Sequence, residues 1–72
     1  MVVRIPWKEV FVDEGNGSWR PSGFVVIGDA YVGPRDRFGR GARVNFLDFD
    51  AQAGHDLEVT EHGTGVEVLR VF

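Results

Sequence analysis

Apolar residues come in short runs separated by glycine, proline and polar pairs, and no window carries them at helical spacing with caps. The runs predict strands. Val2 to Ile5 is rich in β-branched residues and stops at Pro6. Glu9 to Asp13 is a second run around Val10-Phe11-Val12. Gly15-Asn16-Gly17-Ser18 is the strongest turn signal, because Asn-Gly accepts the positive φ of a tight hairpin. The chain returns through Trp19-Arg20 and breaks at Pro21-Ser22-Gly23. Phe24 to Val32 reads as the best core strand. Phe24-Val25-Val26-Ile27 is continuously apolar, as in a strand covered on both faces, Gly28 marks a bulge or bend, and Ala30-Tyr31-Val32 continues the run.

The loop Gly33 to Ala42 follows, and Arg43 to Phe49 resumes strand, with Val44 and Phe46 on one face and Asn45, Leu47 and Phe49 on the other. Asp50 to Gly54 is a turn or at most one helical turn. Leu57 to Thr60 and Val66 to Phe72 form a second hairpin across Glu61-His62-Gly63-Thr64-Gly65. Val26, Ile27, Phe46, Leu57, Val59 and Val68 are the expected core. Short strands at roughly 8–12-residue spacing with no substantial helix predict an all-β fold. A small barrel of about five or six strands, SH3-like or OB-like, is the natural closed form, because closure hides sheet edges.

Composition narrows this further. The 72 residues suit one small β domain over 1–72, which buries only roughly 60 % of its unfolded surface. There is no cysteine, so disulfides, thiolate zinc sites and thiol catalysis are excluded. The apolar core must supply the stability, with any partner adding to it. The first residues lack a signal-peptide core and no apolar run is long enough for a membrane-spanning helix, so a cytoplasmic location is expected. Asn16-Gly17-Ser18 fits a glycosylation pattern but reads better as the turn.

Eight basic residues against eleven acidic ones give a net charge of −3, which opposes bulk binding to nucleic acid or an anionic membrane. The charges are segregated. Residues 35–43 carry Arg35, Arg37, Arg40 and Arg43 against Asp36, whereas residues 44–69 carry six carboxylates and no Lys or Arg. The arginine loop, with Phe38 inside it, has three readings. It is a solvated loop paired with the protein's own acids, a protein-docking surface, or a grip on phosphates and bases. Trp19, beside the tight turn, is either a binding anchor or, with Trp7, the closure of a thin core.

Other motifs fail on inspection. Arg40 to Phe46 lacks the aromatic that an RNA-recognition strand requires. Asp48-Phe49-Asp50 heads a calcium-loop-like stretch, but Ala53 and Val59 stand where glycine and glutamate are needed, so capping carboxylates are the plainer reading. His55 is the one imidazole placed to join Asp48 or Asp50 on a metal. Gly39-Arg40-Gly41 and Gly63-Thr64-Gly65 lack the Lys-Ser/Thr of a phosphate loop, and Ser18 has no nucleophile-elbow flanks.

These exclusions leave a small non-enzymatic binding protein without cofactor or metal. It is expected to act as a monomer or weak homodimer. It would dock on a larger protein or nucleoprotein as regulator, inhibitor or accessory subunit, a role familiar in small phage and mobile-element proteins. The expected partner-binding residues are Arg35, Arg37, Phe38, Arg40, Arg43 and Trp19. The alternative is a nucleic-acid-binding β-barrel using the same loop.

Overall fold

A computed structural model describes residues 1–72. Strands dominate it: β1 (Val2–Ile5), β2 (Phe11–Gly15), β3 (Ser18–Pro21), β4 (Val25–Ile27), β5 (Ala30–Val32), β6 (Arg43–Val44), β7 (Leu47–Asp48), β8 (Leu57–His62) and β9 (Gly65–Val71). A 3₁₀ turn, Trp7–Glu9, follows β1, and one helical turn, α1 (Phe49–Gln52), follows β7.

Turn chemistry sets most of these boundaries. Pro6, with φ −64°, ends β1 and opens the 3₁₀ turn, whose Glu9 N–H donates to the Pro6 carbonyl at 3.1 Å. Asn16 (φ 56°) and Gly17 (φ 76°) both take the left-handed conformation that joins β2 to β3. Asp48 caps α1 by accepting from the backbone N–H groups of Asp50 (3.0 Å) and Ala51 (3.2 Å), while Gln52 Oε1 accepts from Asp48 N–H at 2.7 Å.

Five strands form one sheet in the order β1-β8-β9-β4-β5, and β2–β3 and β6–β7 are separate two-stranded hairpins. The sheet is antiparallel except for the parallel pair β4–β9. It runs from edge β1 to edge β5 and does not close, so the all-β expectation holds at the level of class and the barrel gives way to an open sheet.

Two predicted strands are in fact hairpins. The run Phe24 to Val32 reverses at Gly28-Asp29, because Gly28 adopts φ 65° and Ile27 pairs with Ala30. The run Arg43 to Phe49 reverses at Asn45-Phe46, with Asn45 at φ 51°. Asn45 Nδ2 then donates to the Ile27 carbonyl (2.6 Å) and to Asp29 Oδ1 (2.9 Å), tying one turn to the other.

One face of the sheet supplies Val25, Ile27, Val32, Leu57, Val59 and Val68 to the core. Trp7, Val10, Phe11, Leu47 and Phe49 complete the same cluster from outside the sheet. Full burial of such a side chain contributes roughly 1.5–3 kcal/mol. The expected core is therefore right for Ile27, Leu57, Val59 and Val68. Phe46 is 41 % exposed because it sits in the β6–β7 turn. Val26 is only half-buried because it belongs to the opposite face, in a cross-strand row Val2–Thr60–Glu67–Val26–Tyr31.

Candidate functional site

The arginine loop leaves β5 through a tight turn in which Gly33 N–H donates to Asp36 Oδ2 (2.8 Å) and Asp36 N–H donates to the Gly33 carbonyl (2.9 Å). It then docks on β3. Trp19 and Phe38 exchange two backbone hydrogen bonds, 2.9 and 2.8 Å, as an isolated antiparallel bridge. The Phe38 ring stacks on Phe49 at 4.8 Å between centroids, and Trp19 meets Trp7 edge-on at 5.7 Å. Both expected anchors are half-buried and pack against the core.

The four arginines do not gather into one grip. Arg37 pairs with Glu14 at 3.3 Å, and Glu14 also holds Arg20 at 3.0 Å. Arg40 lies over Gly17 at the β2–β3 turn. Arg43 Nε donates to the Asn45 carbonyl at 3.2 Å in the β6–β7 hairpin. Arg35 alone lies beside exposed aromatic rings, and neither it nor Arg40 makes an ion pair. The self-pairing reading of the loop thus holds for Arg37 only, and its partner Glu14 comes from β2 and not from the acidic C-terminal half.

The carboxylates of the calcium-like stretch are occupied locally. Asp48 caps α1 and Asp50 Oδ2 accepts from Gly41 N–H at 2.9 Å. His55 Nδ1 lies 2.8 Å from the Phe72 carbonyl oxygen, at the C-terminal end of the sheet. No three acidic or imidazole side chains converge.

What the fold does assemble is an aromatic ledge. Phe24 is 47 % and Tyr31 61 % exposed, with centroids 6.0 Å apart, and His62 lies 6.2 Å from Tyr31. A groove of about 520 Å³ beside the ledge is lined by Phe24, Tyr31, Val32, Gly33, Pro34, Arg35 and Asp36. A smaller cleft of about 220 Å³ between β1, the 3₁₀ turn and β9 has Glu9 as its one charged group. Compared with protein-family models, curated proteins and solved structures, the chain matches none.

Sequence reasoning placed Phe24 in a doubly covered strand and so missed it. In a continuous apolar run, period-two alternation leaves no mark, although Phe24 and Val26 share one face while Val25 and Ile27 share the other. The Gly28-Asp29 turn was the available signal, since a hairpin there makes β5 an edge.

Proposed function

We propose that this protein is a small non-enzymatic binding module that docks on a larger protein through the ledge of Phe24 and Tyr31 with Arg35 beside it. The supporting observation is the exposure of Phe24 and Tyr31 against a groove that also holds an arginine without an ion-pair partner. Tyrosine, other aromatics and arginine dominate the energetics of protein interfaces, because they bring large contact area at low entropic cost. The reading carries with it a regulator, inhibitor or accessory-subunit role, a cytoplasmic location and a monomer or weak homodimer as the working state.

Net charge −3 and the dispersal of Arg37, Arg40 and Arg43 over separate elements weigh against the competing nucleic-acid reading. Affinity co-purification from the native host, run in parallel with a Tyr31→Ala/Arg35→Ala variant, tests the choice. A stoichiometric protein retained by wild type and lost by the variant supports docking. Nucleic acid in its place, or equal retention by both forms, overturns it.

A further inference from the structure

The outer edge of β5 and the groove beside it have complementary features. Gly28-Asp29 is a two-residue turn, so the closing pair Ile27–Ala30 exchanges hydrogen bonds and the next pair, Val26–Tyr31, does not. The Tyr31 N–H and C=O therefore point away from β4, toward the open edge of the sheet. No loop or side chain of the protein bonds to them. The next residue with that orientation, Gly33, is closed off by Asp36, so the free edge amounts to one residue's donor and acceptor. The side chain of the same residue walls the groove, together with Phe24, Pro34 and Arg35.

Resting on the docking reading above, we infer that the partner is engaged as an extended acidic peptide segment added at the edge of β5. One residue of the segment closes a two-hydrogen-bond ring with Tyr31. Its neighbours on the side-chain face, spaced two apart, place an apolar group between Phe24 and Pro34 and a carboxylate on Arg35. The charge argument selects the carboxylate: Arg35 makes no ion pair in the protein, and the one carboxylate that shares the groove, Asp36, already accepts from the Gly33 amide. A phosphate backbone fits less well. It carries a charge at every nucleotide and would extend from the ledge onto Glu67, which occupies the same cross-strand row as Tyr31.

The probe is a random peptide library displayed on phage and selected against wild-type protein, followed by synthesis of the recovered peptides. The expected peptides carry Asp or Glu two positions from an aliphatic or aromatic residue. Their affinity should fall at least about tenfold in Tyr31→Ala and in Arg35→Glu, and should be unchanged in Arg70→Ala at the far end of β9. Strand addition also slows hydrogen exchange of the Tyr31 amide on binding by about tenfold or more, which a contact through side chains alone would not do. Selection that yields no binder, binders without acidic residues, or an unprotected Tyr31 amide overturns the inference. So does salt-sensitive binding of a single-stranded oligothymidylate that displaces the peptide. A folded protein captured from the host in a Tyr31-dependent way, with no peptide binding, leaves the docking reading standing and removes strand addition alone.

Discussion

Gly65 passes so close to Phe24 that a β-carbon on it would overlap the Phe24 carbonyl oxygen, the atom that accepts the Val66 N–H at 3.0 Å. This contact sets the start of the parallel pairing between β4 and β9. Two strands distant in sequence approach here with no room for a side chain, and relief requires backbone movement.

Gly65→Ala should therefore destabilise the protein by about 3 kcal/mol or more, since backbone-displacing overpacking is at the costly end of its range. Gly63, in the same hairpin, offers a contrast: it has φ 59° and open space around it. Gly63→Ala should cost only about 1–2 kcal/mol, the left-handed conformational penalty. Urea denaturation of both variants checks the ordering, and equal effects would contradict the close approach.

Ile27 is fully buried and Phe46 lies in a turn at 41 % exposure. Ile27→Ala should cost about 2–5 kcal/mol and Phe46→Ala under about 1 kcal/mol, despite the larger side chain removed. Thermal unfolding of the two variants reads the difference directly.

Phe49 touches Phe38 (4.8 Å), Phe11 (5.2 Å) and Trp7 (5.6 Å) between ring centroids. Phe49→Ala should cost about 3–5 kcal/mol and reduce the near-ultraviolet circular dichroism of the aromatic cluster. It should also speed amide exchange at Phe38, because the ring stack holds the arginine loop against β3. Unchanged exchange at Phe38 would show that its two backbone bonds to Trp19 suffice.

Asn45 serves its turn twice, through φ 51° and through Nδ2 hydrogen bonds to Ile27 and Asp29. Asn45→Gly keeps the backbone freedom and loses the bonds, at about 1 kcal/mol, while Asn45→Ala loses both, at about 2 kcal/mol. If alanine proved the milder change in chemical denaturation, the backbone account of this turn would fail.

Arg35, Arg37 and Arg40 touch the rest of the protein only lightly: the contact of the exposed Arg37 with the half-buried Glu14 is their sole ion pair. Their joint replacement by alanine should leave stability within about 1 kcal/mol, as measured by urea midpoint, because exposed charge pairs contribute little. Of the three, Arg35→Ala alone should account for most of any loss in partner binding.

Local chemistry was legible in the sequence. Asn16-Gly17 marks its own turn, because the conformations required are set by the residues that occupy it, and the second hairpin falls within the expected Glu61 to Gly65 connection, tightened to Gly63-Thr64 by the pairing of His62 with Gly65. Pro6 ended β1 and Asp48 capped one helical turn for equally local reasons. Tertiary structure alone decided the rest. The apolar run from Phe24 to Ile27 has no polar alternation to declare its faces, so pairing with β9 had to bury Val25 and Ile27 and leave Phe24 out. Gly28 and Asn45 each had an alternative as a bend or a strand residue, and the hydrogen bonds between their two turns fixed the reversals. The arginines close together between positions 35 and 43 were dispersed by the Trp19–Phe38 bridge, which pins the chain to β3 between Arg37 and Arg40, and by the turn that Ala42 N–H closes onto the Gly39 carbonyl. Proximity along an irregular loop carries no geometry, whereas two backbone hydrogen bonds and a ring stack do.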